Sequence, residues 1–208
     1  MTELTNIYNE LYTESIVDQT NKNHRNTDKG TTHSYIDQYH KLLSQYRGRK
    51  IRVLEIGVQG GISLLMWKRY FPDASVVGVD IDISLVQEKV LTHTNDPNSG
   101  IALIKSDAVS KNILSDLDGS FDIIIDDGSH RPNDQIKTFN LLKDRLNVGG
   151  IYVIEDVQSI EISEVIAKSI MGCEVIDLRS IKNRFDDIMI IWRSSHLTTV
   201  KNCSTIHT

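Results

Sequence analysis

Short runs rich in β-branched residues alternate along this chain with segments whose apolar residues recur at helical spacing. The runs at 121–126 and 150–155 are apolar without clean alternation, as strands that are buried on both faces should be. Over residues 132–145, apolar residues recur at helical spacing behind Pro132, which a first helical turn tolerates. Such alternation predicts right-handed βαβ units, and therefore a parallel sheet that is covered by helices on both faces.

The predicted elements define a fold class. Strands are predicted at 51–56, 75–80, 101–105, 121–126, 150–155, 173–179 and 187–192. Helices are predicted at 3–19, 34–46, 61–70, 83–93, 109–116, 132–145 and 160–170. The last two strands are joined by about seven residues, too few for a helical crossover, so they should pair antiparallel. The prediction is an α/β fold: a doubly wound, mostly parallel, seven-stranded Rossmann-like sheet with a short helical N-terminal arm.

The same pattern suggests a division of the chain. Residues 1–48 are predicted to be a helical arm with a polar loop at 21–33, and the segment around Thr27–Tyr35 is predicted to act as a lid over the bound ligand. Residues 49–195 should form the catalytic domain, and residues 196–208 a flexible C-terminal tail.

Composition narrows the function classes. The chain has 208 residues, of which 39% are hydrophobic and 25% charged, and this suits one globular domain with a sizeable core. The formal net charge of −5 argues against a nucleic-acid partner. Neither a membrane-spanning run nor a secretory signal is recognised, so no membrane partner is expected. The two cysteines, Cys173 and Cys203, fit no disulfide or metal pattern, so a cytoplasmic setting is expected. Formation of a homo-oligomer stays open.

A glycine loop follows the first predicted strand. Gly57, Gly60 and Gly61 lie between that strand and a helix, where glycine lets the backbone approach a ligand closely. The spacing is not the G-x-G-x-x-G of a dinucleotide site, and Glu55 would repel a pyrophosphate. A carboxylate favours a cationic ligand instead, which indicates S-adenosylmethionine with its ammonium and sulfonium groups.

Two further acids lie where this ligand would extend. Asp80 ends the second strand, about 20 residues after the loop, where an acid can accept hydrogen bonds from ribose hydroxyls. Asp107 follows the third strand, where the adenine amino group is commonly met. Asp107 and Ser106 could instead simply cap the helix at 109–116.

Carboxylate pairs follow the fourth and fifth strands. Asp126 and Asp127 lie at the end of one strand, and Glu155 and Asp156 lie at the end of its expected neighbour. These acids would repel one another without a cation, and oxygen ligands favour Mg²⁺, with Mn²⁺ or Ca²⁺ as alternatives. Asp127 is the favoured ligand of its pair, whereas Asp126 should face the cofactor or cap the following turn. The alternative interpretation is that all four are solvated acids at strand ends.

His130 lies three residues after Asp127, across a Gly-Ser turn. This spacing can place its ring beside the reacting hydroxyl without making it a metal ligand. An ordinary histidine pKa of about 6.5 suits a general base.

The motifs together resemble those of a known group, the metal-dependent sugar O-methyltransferases of the mycinamicin and related macrolide pathways. Relatives labelled cephalosporin hydroxylase or rhamnosyl O-methyltransferase share the resemblance. It covers about residues 25–192 in order. The matching pieces are Thr27-Asp28-Lys29-Gly30 with His33 and Tyr35, then 53–72, 78–82, Asp-Asp-Gly-Ser-His at 126–130, 154–156 and the hairpin from 177 to 190.

The resemblance implies a role for each matching residue. It makes His130 the base, with Asp127 also in the catalytic set, and the metal ligands Asp127, Glu155 and Asp156. It adds Thr27 to the cofactor contacts. The complete predicted cofactor-binding set is Thr27, Glu55, Gly57, Gly61, Ser63, Asp80, Ser106, Asp107 and Asp126.

The sequence thus predicts an S-adenosylmethionine- and Mg²⁺-dependent O-methyltransferase that acts on a sugar hydroxyl of a glycan or glycoside. A catechol-type O-methyltransferase is the main alternative, because it uses the same sheet and similar acids. A non-catalytic S-adenosylmethionine-binding protein is the second alternative. A hydroxylase is disfavoured because its iron site needs two histidines and one carboxylate, whereas this cluster has one histidine.

Overall fold

The computed structural model describes residues 1–17 and 27–195. The strands are β1 Arg52–Ile56, β2 Ser75–Asp80, β3 Ile101–Lys105, β4 Phe121–Asp126, β5 Leu146–Ile154, β6 Glu174–Asp177 and β7 Ile188–Arg193. The helices are α1 Glu3–Val17, α2 Tyr35–Leu43, α3 Ile62–Tyr70, α4 Glu88–Thr94, α5 Ile113–Asp116, α6 Pro132–Leu142, α7 Ile160–Ser169 and α8 Arg179–Lys182. Residues 18–26, which include the end of the first predicted helix and the first half of the polar loop, and the predicted tail, 196–208, lie outside the described residues.

All seven strands form one sheet in the order β3-β2-β1-β4-β5-β7-β6. The first five strands in this order pair parallel, and β7 runs antiparallel to both β5 and β6. The doubly wound, mostly parallel prediction is therefore confirmed. The strand order reverses beside β1, and ligands of open α/β sheets bind at such a point, outside the carboxyl ends of the strands.

A hydrophobic core lies on each face of the sheet. One core contains α1, α2, α3 and α4, with Tyr39 and Trp67 fully buried. The other contains α5, α6 and α7, with Phe139 and Ile166 buried. Because α1 and α2 share a core with α3, the helical arm packs against the main body. In the portion of the chain that the structure describes, no helix is both long and apolar enough to cross a bilayer.

Two predicted helices, 83–93 and 109–116, begin several residues later in the structure. The segment predicted at 83–93 is split, because the Asp82 carboxylate accepts from Ser84 N at 3.0 Å and closes a separate 3₁₀ turn at 83–85. The segment predicted at 109–116 begins late, because residues 107–110 form a turn instead.

The other differences lie near chain reversals. β5 begins at Leu146 rather than 150, and the extra residues contain Gly149 with a φ of 77°. Its pairing with β4 shifts register there, which is how a sheet accommodates such a residue. The short helix α8 lies in the connection to β7 and was not predicted, since four residues are too few for a periodic pattern.

Candidate active site

A cavity of about 460 Å³ opens at the carboxyl ends of the central strands. Its walls come from the ends of β1, β2 and β4 and from the segments that follow β3 and β5. Most of the predicted site residues line it: Gly57, Asp80, Ser106, Asp107, Asp126, Asp127, His130 and Asp156. Thr27, Gly61 and Ser63 line a smaller adjoining cavity of about 30 Å³. Glu55 and Glu155 are buried and line neither of these two cavities.

The glycine loop closely approaches the end of β4. Gly57 has a φ of 79°, and a Cβ built there would lie 2.0 Å from the backbone oxygen of Asp127. Only glycine fits this position, on steric as well as conformational grounds. Gly61, the N-cap residue before α3, has a φ of 78°. The loop is thus held tightly against the segment that carries Asp127.

Asp80 has a structural task that the sequence did not reveal. Its Oδ2 accepts hydrogen bonds from Val58 N at 2.9 Å and from Gln59 N at 3.0 Å, and its Oδ1 accepts from Asp82 N. The same carboxylate lines the cavity. Asp80 therefore anchors the glycine loop from the neighbouring strand and also faces the space where a ribose was expected.

Ser106 and Asp107 also combine two features. The Asp107 carboxylate accepts from Val109 N at 3.1 Å, and Ser106 Oγ donates to Asp116 Oδ2 at 2.6 Å. Both residues line the cavity. Asp107 therefore caps the turn at 107–110 rather than a helix at 109–116, because the helix begins only at Ile113, and its predicted contact with adenine stays a prediction.

Asp126 is buried and caps the turn that follows β4. Its Oδ1 accepts from Gly128 N, and its Oδ2 accepts from the Tyr152 hydroxyl, each at 3.3 Å. Burial raises the pKa of this carboxyl to about 7. Asp126 is therefore a less suitable cation ligand than its neighbour Asp127.

An open group of possible cation ligands lies at the cavity wall. Asp127, His130 and Asp156 each offer one donor atom, and these atoms lie within 4.8 Å of one another. His130 and Asp156 have φ values of 55° and 54°, which are uncommon for residues other than glycine. Burial and the nearby charge of Asp127 raise the pKa of Asp156 to about 8. Two carboxylates and an imidazole in this arrangement suit a divalent cation.

Beside this group lies a second cluster, which is built around Lys29. The ammonium nitrogen of Lys29 is 2.7 Å from Asp127 Oδ2, 2.7 Å from Glu155 Oε1 and 3.3 Å from Glu55 Oε1. The lysine is 1% exposed. Burial lowers the pKa of Lys29, but the three carboxylates outweigh this effect, so the pKa is well above its usual range. Lys29 is thus a fully buried cation.

This cluster changes the roles of two predicted residues. Glu55 was expected to face a cationic group of a ligand, but it faces the ammonium of Lys29, and its Oε2 accepts from Trp67 Nε1 at 3.1 Å. Glu155 was expected to join Asp127 and Asp156 around a cation, but its Oε1 contacts Lys29 and the Tyr39 hydroxyl. The structure brings His130, rather than Glu155, to the open group.

Comparison with known proteins identifies the protein family of this chain. The profile of a family described as "Methyltransferase domain" matches residues 54–157, half of the chain. The chain therefore belongs to this methyltransferase family, as the sequence motifs predicted.

Two curated relatives are similar to this chain in sequence. The chain is 39% identical over 140 residues to 8-demethyl-8-alpha-L-rhamnosyl tetracenomycin-C 2'-O-methyltransferase of Streptomyces olivaceus, covering 64% of this chain and 35% of that protein. It is 39% identical over 138 residues to mycinamicin VI 2''-O-methyltransferase of Micromonospora griseorubida, covering 62% of this chain and 32% of the relative. The chain thus spans about a third of the length of the curated relatives it matches.

A solved structure agrees with these relatives. The MycE methyltransferase of the mycinamycin biosynthetic pathway, in complex with Mg and SAH, superimposes with a TM-score of 0.53 at 32% identity. The match covers 72% of this chain and 36% of that one. The predicted resemblance to macrolide sugar O-methyltransferases is confirmed.

Proposed function

We propose that this chain transfers a methyl group from S-adenosylmethionine to a sugar hydroxyl with the help of a divalent cation, preferably Mg²⁺. The observation that carries the proposal is the open group of Asp127, His130 and Asp156 at the wall of the glycine-loop cavity. The relatives, which are named as a rhamnosyl tetracenomycin-C 2'-O-methyltransferase and a mycinamicin VI 2''-O-methyltransferase, support the same reaction.

The donor would bind in the large cavity. Its lining combines a close-approach glycine, Gly57, with Asp80 and Asp107, which are acids at the positions expected for ribose and adenine. The adjoining cavity is lined by Thr27, Gly61 and Ser63, which would contact the same donor molecule. When bound, S-adenosylmethionine supplies an electrophilic methyl group on its sulfonium.

The cation would bind at the two carboxylates of the open group, with His130 beside it as the base. Asp127 and Asp156 supply hard oxygen donors, which Mg²⁺ prefers. Burial of Asp156 beside Asp127 disfavours two negative charges unless a cation balances them. Glu155 stays a proposed third ligand, next to Asp156 in the chain. A bound divalent cation would orient the acceptor hydroxyl and make it more acidic.

His130 is the proposed general base. Its Nε2 is 3.9 Å from Asp156 Oδ2, and its buried Nδ1 has no hydrogen-bond partner among the described residues. An imidazole at the cavity wall can take the hydroxyl proton as the oxygen attacks the methyl group. Most of the remaining barrier would fall to positioning.

The acceptor and the setting are also proposals. A sugar or glycoside is the proposed acceptor. The acidic net charge and the cysteines that fit no disulfide pattern support a cytoplasmic location without a nucleic-acid or membrane partner.

Two experiments test the proposal. Calorimetric titration with S-adenosylmethionine and with 2-oxoglutarate separates a methyltransferase from a hydroxylase, because only one of them should bind. Mass spectrometry then follows the gain of one methyl group on a panel of sugars, glycosides and catechols.

A matched pair of variants adds the control. Asp127→Asn should abolish methylation. Asp122→Asn alters the other end of β4, where this acid accepts from Arg52 N at 2.8 Å, and should leave methylation intact. Methylation of catechols alone would contradict the sugar acceptor, and binding of 2-oxoglutarate alone would contradict the reaction.

A further inference from the structure

Three side chains that precede the residues matched by the family profile hold the carboxylates of the site. Lys29 precedes α2, and Tyr35 and Tyr39 lie on α2, whereas the family profile begins at residue 54. The two tyrosines are four residues apart, so they share one face of the helix. Each tyrosine is fully buried.

Tyr35 fixes Asp156 at two points. Its hydroxyl donates to Asp156 Oδ1 at 2.7 Å and accepts from Asp156 N at 3.2 Å. Asp156 has the uncommon φ of 54°, so the second bond stabilises a backbone turn that would otherwise be unfavourable. One phenol thus sets both the backbone and the carboxylate of this acid.

His33 packs against this contact. Its ring stacks on Tyr35 with a centroid distance of 4.8 Å and an interplanar angle of 13°. Its Nδ1 lies 3.4 Å from Asp156 Oδ1 and 3.4 Å from Asp187 Oδ1. The Tyr35 ring is therefore held on its stacked side and has little freedom to turn.

Tyr39 lies one helical turn after Tyr35 on α2 and contacts Glu155 in a similar way. Its hydroxyl donates to Glu155 Oε1, the oxygen that also receives the Lys29 ammonium at 2.7 Å. Its ring packs edge-on against Trp67, with centroids 5.0 Å apart. Tyr39 and Lys29 thus orient Glu155 from two directions, and Lys29 extends the same support to Asp127.

We infer that Tyr35 and Tyr39 are positioning residues for the cation site: α2 presents two phenols, of which Tyr35 holds Asp156 of the open group and Tyr39 holds Glu155, the proposed third ligand. The inference rests on the proposed function, because the cation is proposed there. Groups that orient metal ligands typically contribute about 10–100-fold to metal affinity. We expect each hydroxyl to contribute within this range.

The experiment uses the full chain and Mn²⁺ as the probe, followed by electron paramagnetic resonance. Tyr35→Phe and Tyr39→Phe each remove one hydroxyl and preserve the buried ring. Tyr46→Phe is the matched control, because this tyrosine is also buried and its hydroxyl donates at 2.7 Å to the Gly149 carbonyl instead. Urea unfolding of all three variants measures the loss of stability separately.

We expect Tyr35→Phe and Tyr39→Phe to weaken Mn²⁺ binding by about 10–100-fold, while Tyr46→Phe binds Mn²⁺ like the unmodified chain. The affinity for S-adenosylhomocysteine, measured by calorimetry, should stay unchanged in all three. A tyrosine whose variant binds Mn²⁺ as tightly as Tyr46→Phe is not a positioning residue, and the inference fails for it. If the unmodified chain binds no Mn²⁺ and no Mg²⁺, the cation role in the proposed function fails as well.

Discussion

Replacing Lys29 by methionine tests how the buried charges are balanced. Methionine has a similar length and no charge, so the substitution removes the ammonium and leaves the space filled. Glu55, Asp127 and Glu155 would then have lost the cation that lies within 3.3 Å of each of them. Removing one partner from a buried ionic group costs about 3–5 kcal/mol. Since a domain has a total stability of about 5–15 kcal/mol, Lys29→Met should be severely destabilised.

The loss should also depend on pH in a defined direction. Burial raises the pKa values of Glu55 and Glu155, and the Lys29 charge opposes this effect. Without Lys29 their folded-state pKa values rise further. A carboxyl whose pKa is raised by folding contributes stability at low pH and loses it as the pH rises through the folded-state pKa. Lys29→Met should therefore lose more stability at about pH 8 than at about pH 5.

Urea unfolding at both pH values measures the effect, and Lys182→Met is the control. Lys182 donates to the carbonyls of Gly30 and His33 at 2.6 Å each, so it holds the same segment but touches no carboxylate of the cluster. If the two variants lose equal stability, or if the loss in Lys29→Met is independent of pH, the buried-cation reasoning is refuted.

Three other predictions concern the cavity. Gly57→Ala should prevent S-adenosylmethionine binding, because the added Cβ would lie 2.0 Å from a backbone oxygen. Gly149→Ala is the control, because Gly149 has a similar φ and nothing lies within 4 Å of its Cβ position, so this variant should bind normally. Equal calorimetric affinities of the two variants would contradict the prediction. Asp80→Ala should weaken S-adenosylmethionine binding by about 1.5–3 kcal/mol. An unchanged dissociation constant would show that Asp80 holds the glycine loop but does not contact the donor. His130→Ala should lower kcat by about 10²–10⁴-fold with nearly unchanged donor affinity, and a normal kcat across the pH range would assign the base elsewhere.

The strands and much of the cavity could be predicted because their signals are local. Apolar runs such as 121–126 define buried strands, and polar residues at their ends meet at one edge of the sheet. Asp127 and Asp156 are therefore correctly expected to be neighbours, and the structure brings them together.

The contribution of the arm could not be predicted from such signals. Lys29 lies in a polar loop, 98 residues before Asp127, and a lysine is rarely buried unless it is paired. Its only signal is its place in the Thr27-Asp28-Lys29-Gly30 motif of the family resemblance. Tyr35 and Tyr39 have helical spacing, which equally fits ordinary core packing.

The dependence of methyl transfer on a divalent cation tests the central claim most directly. The full chain would be incubated with S-adenosylmethionine and a sugar acceptor that the mass-spectrometric panel identifies, first with EDTA and then with excess Mg²⁺. We expect EDTA to abolish the transfer and Mg²⁺ to restore it, because Asp127 and Asp156 would hold the ion beside His130. Full activity in the presence of the chelator would contradict the account.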